Sequence, residues 1–593
     1  MYQNFTTASS PETGAPRLAA LRAVLKSAGL SGFLIPRADA HRGENVAACD
    51  ERLAWLTGFT GSDGHCAVLP DCAAVFADGR YTLQLRNQID TGVFTPQSIP
   101  DDKLADWLIA HLPEGTVGYD PMLHSFDDIH NLEKALAPHG VKLKPSANMV
   151  DEIWADRPKP PQGIITPYQL EFAGESSEDK RQKIAEKLAE AGLAAVVLTL
   201  PDSICWLLNM RGSDIAHTPV ALCFAVLHAD AGVDLVVDPA KVDATLLSHL
   251  GKDIRLSPLE DFGRLLGALS GTVGVDRATA PIWVSRQLAS HEWFADPCIL
   301  PKARKNEVEL DGARQAHLRD AAAIAEFLAW VDAGLEGRSE IDVVQKLELC
   351  RRNTNALTDI SFETICGTGA NGAIVHYRVD ETSNRTIEQN TLLLVDSGGQ
   401  YLDGTTDITR TVIIGAADSE MIRCFTLVLK GMIALSMLRF PAGIAGSHID
   451  TLARAPLWAE GLDYKHGTGH GVGAYLSVHE GPARISRAGL VPLETGMILS
   501  NEPGYYREGA WGIRIENLVV VEAPGKPEGF ETPMHGFETL TWVPIDTRLI
   551  DAARLTQGER EWLNHYHQTV LEKVAPLVTP DTRIWLAAAC API

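Results

Sequence analysis

The sequence is short of the features that would direct a chain to a membrane, a nucleic acid or an oxidising compartment. None of its apolar runs approaches the ~18 residues needed to cross a bilayer, so no membrane partner is expected. The opening MYQNFTTASSPETGAPRLAA has no cationic start followed by an apolar core and does not read as a signal peptide. Lysine and arginine form no block and do not interleave with aromatics, and Asp plus Glu exceed them 76 to 52, for a net charge of −24. That balance argues against a nucleic-acid groove. The ten cysteines stand singly with no CxxC pair, often inside apolar segments such as Cys205-Trp206-Leu207. This is the usage of small hydrophobes in a reducing compartment, and a cytoplasmic protein is the expectation. What is abundant is ordinary: 45 % hydrophobic and 22 % charged residues fit a globular chain. A chain of 593 residues is too long for one core and suggests about three domains.

Residues 1 to about 15 read as a disordered lead. Arg17 to Ala28 carries apolar residues at helical spacing and stops at Gly29, after which Gly32-Phe33-Leu34-Ile35-Pro36 reads as a strand. Helices and strands alternate as far as the Pro-rich Arg157-Pro158-Lys159-Pro160-Pro161, which gives an α/β domain over 1–160. A second copy follows over 161–303. Trp55-Leu56 with Gly61-Ser62-Asp63 returns as Trp206-Leu207 with Gly212-Ser213-Asp214. Ala28-Gly29-Leu30 returns as Ala191-Gly192-Leu193, and Ala67-Val68-Leu69 as Ala225-Val226-Leu227. Neither copy clusters metal ligands. A helix rich in Ala, Leu and Glu, from Glu307 to Gly334, opens a third domain over 304–593. The tail Trp585 to Cys590 carries no assignment.

The third domain holds the unusual chemistry. In TLLLVDSGGQYLDGTTDITR, Leu392 to Val395 lead into Asp396, and Asp407 is followed by Ile408, so both acids sit at the rim of an expected buried sheet. A buried acid needs a partner. A reversal centred on Tyr401 and Leu402 would set the two aspartates opposite each other, whereas a tight Asp403-Gly404 hairpin would leave them four residues out of register, roughly 13 Å apart. His470 lies in HGTGHGVG, where glycines let backbone approach closely. Glu502 ends an apolar run before Pro503-Gly504, and alternation in IRIENL puts Arg514 and Glu516 on one face. Each has a plainer reading alone, as a turn acid, an ion-pair member or a loop histidine. Together, four carboxylates and one imidazole supply ligands for two divalent ions sharing bridging carboxylates. Oxygen-dominated ligation suits Mn²⁺, with Co²⁺, Zn²⁺ or Fe²⁺ open. His376, His466 and His479 add donors able to steady an oxyanion and move protons near neutral pH.

The motifs VDSGGQYLDGTTDITRT, HGTGHGVG, VHEGP, LSNEPGYY and GIRIEN resemble, in order and spacing, the metallopeptidase family that includes aminopeptidase P, prolidase and methionine aminopeptidase. IPRADAHRGE, CDERLAWLTGFTGS, SICWLLNMRGSD and WVPIDTRLID extend the resemblance to the long, three-domain cytosolic form of aminopeptidase P, covering all but the lead and the tail after about Thr579. The resemblance implies an α/β (α+β) chain with two creatinase-like N-terminal domains and a C-terminal pita-bread catalytic domain. It implies two metal ions, usually Mn²⁺, a homodimer, and hydrolysis of the first bond of peptides with proline at the second position by a hydroxide held between the metals. By motif, Asp396 would chelate one metal, Asp407 and Glu516 would bridge both, and His470 and Glu502 would complete the other shell. His376 and His479 would bind and polarise the substrate, His466 would line the pocket, Arg514 would pair with ligand and substrate groups, and Glu502 would carry the proton. The alternatives are a dipeptidase like prolidase, a metal-free binding relative, and a creatinase-like hydrolase. The five intact ligands weigh against the last two.

Overall fold

In the computed structural model, which describes residues 1–593, helix α1 (Gly14–Ser27) ends at Ala28 and turns through Gly29 into the first strand. Gly29 has φ +67°, a left-handed conformation that costs a side-chain-bearing residue about 1–2 kcal/mol. The apolar stripe Leu18, Leu21 and Leu25 packs on Phe33 and Ile35 of that strand. Strands β1 (Gly32–Pro36), β2 (His65–Val68), β3 (Ala73–Ala77), β4 (Thr95–Ser98), β5 (Gly115–Tyr119) and β6 (Val141–Pro145) form a sheet in the order β4-β3-β2-β1-β5-β6.

The same construction is repeated. Helix α2 (Ser177–Glu190) turns through Gly192, φ +71°, into β7 (Ala195–Leu198). With β8 (Phe224–His228), β9 (Val233–Val236), β10 (Ile254–Ser257), β11 (Val273–Val275) and β12 (His291–Trp293) it forms a second sheet ordered β10-β9-β8-β7-β11-β12. Parallel and antiparallel pairings match strand for strand between the sheets. The echoed tryptophans lie in equivalent helices, Arg52–Thr57 and Pro201–Leu207. Both copies belong to one compact unit, Ala8–Leu170 with Glu175–Cys298. Within it, the His41 ring stacks on Phe224 at 4.3 Å and Arg277 pairs with Asp127 at 2.7 Å.

The other unit comprises Met1–Thr7, Glu171–Gly174 and Ile299–Ile593. It begins with the short helix α3 (Ile299–Ala303) and the 26-residue helix α4 (Glu307–Asp332). Asn306 caps α4, accepting from the amides of Val308 and Glu309. Phe327 and Leu328 of α4 share a core with the sheet of β13 (Ile365–Thr368), β14 (Thr391–Ser397) and β15 (Ile408–Ile414). Leu392, Leu393 and Leu394 are at most 1 % exposed, and burial of each contributes about 1.5–3 kcal/mol. A second sheet holds β16 (Gly469–Gly471), β17 (Glu480–Ile485), β18 (Ile498–Asn501), β19 (Asn517–Val521) and β20 (Phe537–Thr539).

Three expectations need correction. The hairpin after β14 turns at Leu402-Asp403, with Tyr401 opposite Gly404 and Asp396 opposite Thr409. The two aspartates are therefore two residues out of register, neither opposite nor four apart. Gly404 serves packing rather than the turn: a Cβ there would lie 3.1 Å from Ala316 Cβ and 3.2 Å from Ala313 Cα of α4. The lead is held rather than disordered over its first residues. The Tyr2 amide donates to Glu348 at 2.9 Å, buried Gln3 accepts from the Thr364 amide, and Arg378 donates to the carbonyls of Asn4 and Thr6. Finally, Arg514 and Glu516 do share a face, both meeting the Thr409 hydroxyl, but they do not lie in one strand. Trp511–Arg514 pairs with Gly504–Arg507, and β19 starts beyond Glu516 in another sheet. The unassigned tail is helix Pro580–Ala589, whose Leu586 is fully buried.

Candidate metal centre

The hairpin register decides the face. Asp396, Thr409 and Asp407 fall on one side of the β14–β15 ladder, since side chains alternate with period two. The crossover residue Glu516 docks against them: its amide donates to the Thr409 carbonyl at 3.2 Å, and the Thr409 hydroxyl donates to Glu516 Oε2 at 2.8 Å. From the second sheet, β16 brings His470. Its Nδ1 lies 2.9 Å from the Gly471 carbonyl, which can only accept, so Nδ1 carries a proton and Nε2 faces the acids. Nε2 is 3.5 Å from Asp407 Oδ2 and 3.6 Å from Glu502 Oε1. Ligand atoms of Asp407, His470 and Glu516 lie within 4.8 Å of one another. Glu502 joins through His470, and Asp396 through Arg514, whose Nη2 donates to Asp396 Oδ2 at 2.5 Å.

Asp396, Asp407 and Glu516 are all at least nine-tenths buried, with Glu502 beside them, and Arg514 is the guanidinium that pairs with the group. Burial first, then Asp396 and Glu502, push Asp407 up to about 6 against the pull of its bond with His470. Burial with Asp407, Asp396 and Glu502 around it holds Glu516 well above the usual carboxylate range. Burial alone would lower His470, but Asp407 and Glu502 hold it up at about 9. Each of these shifts reports a surplus of negative charge in a dry site. Asp396 Oδ1 and Asp407 Oδ1 accept no hydrogen bond although they are buried, a cost of about 1–3 kcal/mol or more apiece. Oxygen and imidazole donors spaced to meet at cation distances of about 2.0–2.2 Å, with two oxygens otherwise unsatisfied, fit a divalent metal group.

The remaining site residues surround this cluster. The His479 ring meets the His470 ring edge to face at 4.3 Å. His376 is half-buried, and the carbonyl of the preceding Val375 accepts from Arg514 Nη2 at 3.4 Å. His466 Nε2 lies 2.9 Å from the Tyr506 hydroxyl, which accepts from Arg514 Nη1 at 2.6 Å. Thr409, Tyr506 and Ser500 were not singled out by sequence. Ser500 Oγ accepts from the His470 amide at 2.9 Å and donates to Glu502 Oε1 at 3.1 Å. Thr409 was findable, being two residues from Asp407 in a strand.

Residues 311–523 match metallopeptidase family M24, and 533–593 match the C-terminal region of that family. Residues 17–153 and 156–309 each match the creatinase/prolidase N-terminal domain. A probable Xaa-Pro aminopeptidase P of Laccaria bicolor is 40 % identical over 97 % of this chain and 93 % of its own length. Aminopeptidase P2 of Arabidopsis thaliana is 40 % identical over 94 % of this chain and 85 % of its own. Among solved structures, X-prolyl aminopeptidase from Caenorhabditis elegans, described as a cytosolic enzyme with a di-nuclear active site, superposes with a TM-score of 0.94 at 34 % identity, covering 98 % of this chain and 100 % of that one. The dipeptidase PepE of Mycobacterium ulcerans aligns at TM-score 0.51 and 26 % identity, over 63 % of this chain and 97 % of its own. With two creatinase-type sheets, a pita-bread catalytic unit and full-length relatives of this kind, the chain belongs to metallopeptidase family M24 and, within it, to the Xaa-Pro aminopeptidases.

Proposed function

We propose that the chain is a metal-dependent cytoplasmic aminopeptidase that hydrolyses the Xaa-Pro bond at the N-terminus of peptides, acting as a homodimer with two divalent ions, Mn²⁺ before Co²⁺ or Zn²⁺. The observation that carries the proposal is that ligand atoms of Asp407, His470 and Glu516 meet within 4.8 Å, with Glu502 3.6 Å from His470, on a site where the buried Oδ1 atoms of Asp396 and Asp407 accept no hydrogen bond. When bound, the ions would supply an ionised water at neutral pH and an electrophilic grip on the scissile carbonyl.

The ions would be held by Asp396, Asp407, His470, Glu502 and Glu516. Arg514 keeps Asp396 in place by pairing with its Oδ2, leaving Oδ1 to act as ligand. His479 and His376 would bind the peptide and donate to the oxygen that gains charge at the tetrahedral carbon. Glu502 is the proton carrier, accepting from the attacking water and delivering to the proline nitrogen; its half-buried carboxylate is steadied by Ser500. His466, aligned by Tyr506, would line the proline pocket. The domain division 1–160, 161–303 and 304–593 belongs to the same reading. Family matches that change over between residues 153 and 156 and between 309 and 311 support it.

The test compares an Xaa-Pro-Xaa tripeptide with an Xaa-Pro dipeptide. Release of the first residue from the tripeptide is expected; cleavage of the dipeptide alone would assign the chain to the prolidase class instead.

A further inference from the structure

Outside the ligand set, the catalytic unit buries one carboxylate between two ammonium groups. Glu480 opens β17, and Lys302 Nζ, in α3, lies 2.8 Å from its Oε2. Lys305, just ahead of α4, pairs with Oε1. All three side chains are at most 2 % exposed. Removing charges from water costs several kcal/mol per ion, and well-packed apolar side chains in their place are often as stable. Stability is therefore a weak reason for this cluster to exist.

Its position offers a stronger one. Glu480 directly follows His479, and in the β16–β17 ladder it pairs with Gly471, which directly follows His470. The ladder slips between His470 and Gly471, so the register there depends on where Glu480 sits. The fit is close: a Cβ on Gly471 would lie 2.2 Å from the Glu480 carbonyl oxygen, and one on Gly473 would lie 3.1 Å from Glu480 Oε2. Exposed His479 and half-buried His470, whose rings touch, thus sit on either side of one locked residue. Lys305 donates to Oε1, whereas Oε2 accepts no hydrogen bond and has the Lys302 ammonium at ion-pair distance as its compensation, so without Lys302 that oxygen would stand in a dry site with no opposing charge.

We infer that Lys302, Glu480 and Lys305 form a positioning clamp for the reaction: the two lysines fix Glu480, and Glu480 fixes the direction from which His479 meets the peptide. The lysines come from the segment just before the region that matches the peptidase family, so the clamp ties the start of the catalytic unit to its substrate-binding loop. This rests on the role proposed above for His479.

The experiment is a double-mutant cycle on the full chain, assayed with added Mn²⁺, using Lys302→Met, His479→Ala and their combination. It reads kcat and KM for an Xaa-Pro-Xaa tripeptide, metal bound per chain, and Tm. Lys302→Met is expected to lower kcat about 10- to 100-fold, the range for residues that orient a functional group, with KM changed less and metal content unchanged. In the His479→Ala background it is expected to cause no further loss. Lys302→Arg, which keeps the charge, should recover most of the rate, and if Lys302→Met does not fold, Lys305→Met takes its place in the cycle with His479→Ala. Losses that multiply in the double variant overturn the clamp. If His479→Ala lowers kcat while Lys302→Met does not, the clamp alone falls. If His479→Ala leaves kcat intact, the role of His479 falls and the clamp with it.

Discussion

His470 is the residue whose state must change most when the site takes up metal. Asp407 and Glu502 outweigh the effect of burial and hold its proton up to about 9, whereas a metal ligand must be neutral at the coordinating nitrogen. Loading at pH 7 should therefore expel the His470 proton, with any still held by Glu516 adding to it, and apparent metal affinity should rise with pH, by at least about tenfold per unit, until about 9. Asp407 weakens binding further below about 6. Calorimetry in two buffers of different ionisation heat counts the proton; uptake with none released would contradict this account of the site. The five candidate ligands stood out in the sequence because acids at the ends of apolar runs and a histidine among glycines are unusual. The residues that hold them were harder to read. Tyr506 is one of two adjacent tyrosines, and only the fold tells which of them reaches Arg514 and His466.

At the scale of elements, the duplication was visible because the echoed residues occupy equivalent places, Trp55 and Trp206 in matching helices and Gly29 and Gly192 at matching turns. Hairpin register was not, because Asp403-Gly404 looks like a turn while Gly404 sits where a side chain would crowd α4. Nor was the break before Glu516, since apolar alternation continues while the partner strand changes. The first residues of the chain escaped because their anchors are backbone groups meeting Glu348 and Arg378, which carry no periodic signal. The penultimate helix, Gln557–Val574, supplies its own test. His567 is fully buried there and accepts from the Ile545 amide at Nε2. Burial, then nearby Arg410, pull it down to about 4. Between that value and its unfolded value near 6.5, the unfolded chain binds a proton that the folded chain refuses, so stability falls as pH falls through this window, by about 3 kcal/mol across it. The expected outcome is that wild type loses more Tm than His567→Gln between pH 7 and pH 4.5. Equal losses would show that His567 does not titrate this way.

Over the whole molecule, composition and motif order already pointed to a long acidic hydrolase with a doubled N-terminal half. The packing of both sheet copies into one unit came only from the fold, through contacts such as His41 on Phe224. The dipeptidase PepE is a smaller architecture, whose structure leaves more than a third of this chain unmatched. In the proposed function, the buried carboxylate surplus would serve to hold two metal ions that cleave an Xaa-Pro bond. The most direct measurement is elemental analysis of the purified chain with tripeptide cleavage, for wild type, Asp407→Asn and Glu516→Gln. Close to two metal ions per wild-type chain, at least one lost in each variant, and cleavage abolished in both are expected. A wild-type chain that binds no metal and stays inactive with added Mn²⁺, or variants that keep full activity, would contradict it.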